Sequence, residues 1–236
     1  MRNMNKWFVS KDSAIHRQNA IEWMHCNSNS ARKQFVSDNL VRWSEFLRLP
    51  YFDPIRHLVI DPMHCLFLGI GKWLVKRIWI DEGILTNNVL NEIQEMMEKF
   101  QVPSDIGRVP RKVNSGEGFL NFTADQWRNF FTIYATVVIW KHLPNEDRRI
   151  LTYFVEVCQI LVCRILKRDL LKEAHEKLIK MVKLIEQKYG QEKITLNLHL
   201  SLHLYECACD YGPLYAFWCF SFERMNGILG KLLNYI

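Results

Sequence analysis

The scarcity of turn-forming residues is the strongest constraint on how this chain folds. Only 10 glycines and 7 prolines interrupt its 236 residues, and 49% of the residues are hydrophobic. Sandwiches and barrels need many tight turns, whereas long helices need few. The hydrophobic fraction is also high enough to exclude intrinsic disorder. The sequence therefore predicts a mainly α-helical protein with a sizeable buried core.

Apolar spacing and capping residues divide the chain into successive helices. These are predicted at residues 12–26, 31–40, 63–80, 86–100, 123–142, 144–166, 171–189 and 194–209, with a last helix from Ser221. Three consecutive apolar residues, Leu58 to Ile60, predict one short buried strand at 57–61, because two of them are β-branched. Asp61 and Pro62 then suit the start of the next helix.

The cysteines and the apolar stretches indicate the cellular compartment of the protein. The seven cysteines form no C-x-x-C pair, and their odd number is typical of reduced thiols. The longest apolar stretch, residues 130–140, has about half of the length of a membrane span. The first residues contain no apolar segment of a secretory signal. We therefore expect a protein of the nucleus or the cytoplasm, neither secreted nor held in a membrane.

Two polar residues at the start of the third helix form the first candidate site. Asp61 and His64 are one helical turn apart, a spacing that suits binding a divalent metal ion or positioning a proton. The alternative is that Asp61 only caps the helix and that His64 lies in the core. The residues by themselves leave both interpretations open.

A pair of histidines forms the second candidate site. His199 and His203 are four residues apart and share one helix face, which suits a zinc ion that has two further ligands. Cys207 and Cys209 offer those ligands only with difficult geometry. Two buried histidines bonded to the backbone are the alternative. A further hypothesis is a small metalloenzyme that uses His64 together with this pair.

Glu223 forms the third candidate site because it stands alone among aromatic residues at the start of the last helix. We expect such a carboxylate to be shielded from water, where it needs a charged partner or a metal ion to offset the cost of burial. A salt bridge to Arg224 or an interaction with the helix dipole is the alternative.

Positive charge gives a fourth set of candidates. The chain has 31 lysines and arginines against 25 acidic residues, a net charge of +6. The residues that suit contacts with a phosphate backbone are Arg108, Arg111 and Lys112 in a loop, and Arg164, Lys167 and Arg168 near a helix start. The alternative is that both groups are ordinary solvated surface.

Several motifs, taken in this order, resemble the CACTA-type (En/Spm-like) DNA transposases. The most specific strings are LPYFDP at 49–54 and VIDPMHCLFLG at 59–69. The supporting strings are IGRVP at 106–110, FTADQW at 122–127, NLHLSLH at 197–203, GPL at 212–214 and FERMNG at 222–227. IDPMHC at 60–65 and KIT at 193–195 are also similar, more distantly, to the catalytic subunit of the V(D)J recombinase.

The resemblance implies a DDE phosphotransferase with an RNase H-like core, in which three carboxylates hold two divalent ions, magnesium or manganese. Glu223 corresponds to the third carboxylate. Asp61 corresponds to a residue near the site, as a supporting residue or as a catalytic one. His199 and His203 correspond to the histidine half of a structural zinc site whose C-x-x-C half is missing here.

By the same resemblance the chain has four segments. They are an N-terminal helical segment at 1–48, a strand–helix remnant of the catalytic core at 49–82, a helical insertion at 83–210 and the final glutamate helix at 211–236. The family's first aspartate is missing, and its second aspartate is expected to be missing too. We therefore expect a transposase fragment that is inactive alone, with transposon-end DNA and a second copy or a separate N-terminal half as partners. A helical DNA- or protein-binding module without catalysis is the alternative.

Overall fold

The computed structural model describes residues 12–101, 112–114, 119 and 121–233. The chain divides into two compact units, one ending at Val59 and the other beginning at Ile60. Helices dominate the described residues, which confirms the mainly α-helical class. Within this part of the chain, no helix combines the length and the apolar composition that crossing a bilayer requires. The four segments taken from the resemblance stay a prediction.

Two helices, α1 (Ser13–Met24) and α2 (Asn29–Asn39), begin the first unit, as the sequence predicts. Asp12 caps α1 through its side chain, which accepts two backbone hydrogen bonds. Arg17 of α1 donates hydrogen bonds to carbonyl oxygens in the segment that follows α2, namely those of Leu47, Leu49 and Phe52. The small buried core of this unit consists of Ala20, Val41 and Leu47.

The prediction of a buried strand at 57–61 is wrong. The described residues form no strand, so this segment has no neighbour to pair with. Leu58 and Val59 are 60% and 41% exposed. Three consecutive apolar residues are a weak signal, because a strand is stabilised by its partners in a sheet more than by its own sequence.

The second unit contains the remaining helices, α3 to α10. Their bounds are 62–80 for α3, Asn87–Glu98 for α4, 124–138 for α5, Asn145–Leu161 for α6, Arg168–Tyr189 for α7, Leu196–Ser201 for α8, Leu204–Tyr211 for α9 and Phe220–Leu233 for α10. The helix predicted at 194–209 is interrupted by a turn at Leu202 and His203, which separates α8 from α9. The other helices lie close to their predicted positions.

Helix α3 lies at the centre of the second unit, with α5 and α8 packed against its first half. Two parts of it, Met63–Gly71 and Leu74–Ile80, are wound as a π-helix. Such wide turns are rare, and they occur frequently at functional sites. Gly71 allows the ring of Phe131 in α5 to approach, because a Cβ atom there would lie 2.6 Å from the ring carbon Cε2.

A buried carboxylate ties three helices of this unit together. Asp147 in α6 is fully buried and accepts hydrogen bonds from the indole N–H of Trp79 in α3 at 3.0 Å and from the hydroxyl of Tyr189 in α7 at 2.6 Å. It also forms an ion pair with Lys188 of α7. Burial, followed by the hydrogen bond to Asp147, raises the pKa of Tyr189. The tyrosine therefore stays protonated and keeps donating.

Candidate functional site

The carboxylate of Asp61 organises the start of α3. Its Oδ1 atom accepts a hydrogen bond from the backbone of Met63 at 3.3 Å, and its Oδ2 atom accepts one from the backbone of His64 at 3.0 Å. Its Oδ2 atom also contacts Nδ1 of the His64 ring. The capping role expected for Asp61 is confirmed. The His64 side chain is 53% exposed, so the interpretation of this histidine as a core residue is wrong.

The same carboxylate also holds the start of α10. The backbone N–H of Cys219 donates to Oδ1 of Asp61 at 2.8 Å, although the two residues are 158 positions apart. The ring of Phe220 lies 6.2 Å from that of Phe67 in α3, and the guanidinium of Arg128 in α5 lies over it at 5.2 Å. These contacts place the first turn of α10 against the start of α3.

Three possible metal ligands meet at this junction. One ligand atom each from Asp61, His64 and Cys219 lies within 4.8 Å of the other two. The sequence pairs Asp61 with His64 but gives no role to Cys219, which is distant along the chain. No local signal in the sequence links Cys219 to Asp61, because the contact depends on where α10 packs.

The thiols around Asp61 are held in their protonated form. Burial raises the pKa of Cys65 to about 12, with further contributions from the charges of Asp61 and Cys207. Burial, the charge and hydrogen bond of Asp61 and the charge of Glu223 raise the pKa of Cys219. A thiolate is the reactive form of cysteine, so both thiols react slowly at neutral pH unless a bound metal ion displaces the proton.

Glu223 lies on the first turn of α10, and the prediction that it is shielded from water is wrong. Its side chain is exposed, and it is not a member of the three-ligand group. The aromatic residue next to it, Phe222, is itself 67% exposed and gives no cover. Glu223 is nevertheless close enough to Cys219 for its charge to act on that thiol.

The rings of the histidine pair meet edge to face at the junction of α8 and α9. The ring centres of His199 and His203 are 5.1 Å apart, and Nδ1 of His203 contacts Oε2 of Glu206 at 2.8 Å. Within the described part of the chain, this pair is not gathered with a third ligand into a metal-binding group, and Cys207 and Cys209 do not complete one. The zinc site expected at this pair stays a prediction.

The predicted phosphate-binding residues fall into two sets. Arg164, Lys167 and Arg168 are all exposed around the connection between α6 and α7, and Ile165 among them is 84% exposed. The guanidinium of Arg164 lies 5.0 Å from the ring centre of Tyr215.

In the second set, Lys112 is exposed, whereas Arg108 and Arg111 lie outside the described residues. Among the described candidates, Arg164, Lys167 and Arg168 thus share one exposed connection, between α6 and α7. The chain was also compared with known proteins, and no protein-family model, curated protein or solved structure matches it.

Proposed function

We propose that this chain is part of a DDE-type DNA transposase related to the CACTA elements, and that it supplies the final glutamate without catalysing strand cleavage by itself. The observation that carries the proposal is the hydrogen bond from Cys219 to Asp61. It joins the VIDPMHCLFLG string to the residue three positions before the FERMNG string, the other motif that the resemblance pairs with it. Residues that serve one site must meet in space, and a contact between the starts of α3 and α10 supports such a shared site.

The exposed side of α10 supports the same proposal. Its apolar side chains Phe222, Met225 and Leu229 recur at helical spacing and are 67%, 55% and 49% exposed. A helix with such a face normally packs against another element of the protein. In a complete DDE enzyme, the helix with the final glutamate would cover part of the catalytic sheet. We assign this face to that contact.

The residues at the junction do not fit the two-metal chemistry of a DDE enzyme. Magnesium and manganese prefer oxygen ligands, and the ligand group here contains one carboxylate, one imidazole and one thiol. Asp61 caps α3 and holds the start of α10, and the nitrogen and sulfur beside it are ligands that magnesium and manganese accept poorly. We therefore assign Glu223, and not Asp61, to the shared two-metal site.

The proposal is tested on the genomic DNA upstream of the coding sequence and on a joined protein. We expect that DNA to encode two aspartates on strand-like segments and a C-x-x-C pair. The chain alone is expected to leave a transposon-end duplex uncut in Mg²⁺ or Mn²⁺, whereas a protein that joins both regions cuts it. Glu223→Ala should abolish this cleavage.

The control is Glu95→Ala, which removes an exposed glutamate from α4 and should keep the cleavage. Upstream DNA without such aspartates contradicts the transposase origin. Cleavage by the chain alone that disappears in Glu223→Ala contradicts its inactivity.

A second candidate function is DNA binding without catalysis, and the basic group of Arg164, Lys167 and Arg168 favours it. The three side chains are exposed on one connection, so they can contact successive phosphates. Each phosphate contact adds about 0.9 to the slope of log affinity against log salt concentration. A duplex bound through this group should therefore be released steeply by salt.

Changing all three residues to glutamine is expected to weaken duplex binding and to lower the salt slope by about 2–3. Fluorescence anisotropy at several salt concentrations measures both quantities. The matched control removes the same number of positive charges elsewhere by changing the exposed lysines Lys72, Lys180 and Lys183 to glutamine. It should change the affinity and the salt slope less. Equal effects of the two triple variants would show that only net charge matters and would count against this surface.

A further inference from the structure

We propose that Asp61, His64 and Cys219 bind one zinc ion at the junction between the start of α3 and the start of α10. A carboxylate oxygen, a ring nitrogen and a sulfur atom lie within 4.8 Å of one another there. Bonds of about 2.0–2.3 Å to a tetrahedral zinc ion place its ligand atoms roughly 3.3–3.8 Å apart. The most distant pair of ligand atoms needs to approach by no more than about 1.5 Å to reach this spacing, whereas Nδ1 of His64 and Oδ2 of Asp61, which are in direct contact, need to move apart.

The backbone already holds the three residues in place. Asp61 is fixed by the N–H groups of Met63 and His64 on one side and by that of Cys219 at 2.8 Å on the other. His64 follows on the first turn of α3, and its ring already contacts the carboxylate. Phe220, the residue next to Cys219, packs against the ring of Phe67. The site is therefore assembled by the fold and not by a flexible segment.

The chemistry of the ligand set selects zinc over magnesium or manganese. Thiolate sulfur and imidazole nitrogen are ligands that zinc accepts, whereas magnesium and manganese prefer oxygen. Cys219 binds as the thiolate and releases its proton to solvent when the ion binds. Three protein ligands leave a fourth position open. The His64 side chain is 53% exposed, so this position is accessible to water or to a further ligand. A site with three protein ligands and one open position is typical of zinc that binds a water molecule or a substrate group.

This inference is independent of the transposase proposal, because it depends on the contacts among three side chains and not on the motifs. Glu223, the residue assigned to the shared catalytic site, is not one of the ligands. Zinc binding can therefore fail while the cleavage experiment succeeds, and the reverse is equally possible.

The test is a titration of the full chain, prepared free of metal, with Zn²⁺ in competition with a chromophoric chelator. We expect one ion per chain. Co²⁺ titrated in its place should give the visible absorption of a tetrahedral site and the ultraviolet charge-transfer band of a bound thiolate. Cys219→Ser and His64→Asn should each weaken Zn²⁺ binding about 100-fold or more, because even residues that only support metal ligands contribute up to that factor.

Matched variants separate this site from other cysteines and histidines. Cys209→Ser and His25→Asn change exposed residues outside the site and should bind Zn²⁺ like the unchanged chain. A variant with both His199→Ala and His203→Ala should also keep its ion. Absence of stoichiometric binding, or binding by Cys219→Ser and His64→Asn that equals that of the unchanged chain, overturns the proposal. So does an ion that is lost only with the histidine pair.

A second measurement needs no substitution and so does not depend on how a variant folds. Bound Zn²⁺ is expected to slow the alkylation of Cys219 by iodoacetamide, as followed by mass spectrometry, because the metal occupies the sulfur. The exposed thiols of Cys163 and Cys209 should be modified at the same rate with and without the ion. Alkylation of Cys219 at an unchanged rate contradicts its role as a ligand.

Discussion

Replacing Asp147 with alanine is expected to lower the free energy of unfolding by about 3–5 kcal/mol, the usual cost of removing one partner of a buried ion pair. The substitution leaves the indole N–H of Trp79 and the hydroxyl of Tyr189 without their acceptor inside the core. It also removes the nearer of two counter-ions from Lys188, the other being Glu146 at 3.5 Å. Urea unfolding followed by circular dichroism measures the loss.

Two further variants show whether the burial of Asp147 causes this loss of stability. Asp147→Asn keeps an acceptor oxygen for Trp79 and Tyr189 and should cost less, about 1–3 kcal/mol, although its NH₂ group replaces the oxygen that accepts from Lys188. Asp81→Ala breaks an ion pair with Arg77 at 3.2 Å on the surface and should cost less than about 1 kcal/mol. If Asp147→Ala proves no more costly than Asp81→Ala, the three-helix connection is not what stabilises this unit.

The importance of Asp147 illustrates what the sequence does not reveal. In the sequence, Glu146 and Asp147 are two acidic residues at the start of a helix, where the helix dipole favours negative charge. Nothing local distinguishes the exposed one from the buried one. The difference arises from Trp79 and Tyr189, which are 68 and 42 positions away along the chain. Helix positions follow from local periodicity, whereas buried polar contacts follow from tertiary packing.

The candidate site shows the same difference between features that follow from local sequence and features that follow from tertiary packing. The capping role of Asp61 follows from the residues beside it, and this prediction is confirmed. The strand before it needed a distant pairing partner, and that prediction is wrong. Cys219 joins the site only because α10 returns to the start of α3, which no spacing within the sequence indicates. Local signals thus predicted Asp61 and His64, and chain folding supplied Cys219.

Gly69→Ala is expected to be the second most damaging substitution, with a loss of about 1–3 kcal/mol in the free energy of unfolding from overpacking. A Cβ atom at Gly69 would lie 2.4 Å from Nδ2 of Asn197 in α8 and 2.7 Å from the carbonyl oxygen of His64. The first contact reflects how closely α8 approaches α3. The second reflects the π-helical winding, since His64 is five residues earlier. The side chain of Asn197 can move, but the backbone carbonyl can move only if α3 rewinds.

The same substitution at an open position gives the matched control. Gly227→Ala in α10 meets no atom within 4 Å and should stabilise the chain by about 0.5–1 kcal/mol, because alanine favours a helix over glycine. Adding Asn197→Ala to Gly69→Ala separates the two contacts. Recovery of most of the lost stability would assign the cost to Asn197, whereas a persistent loss would assign it to the π-helical turn. Equal effects of Gly69→Ala and Gly227→Ala on stability would contradict both contacts of the added Cβ atom. They would also contradict the close packing of α8 on α3, the helix that begins at the proposed zinc site.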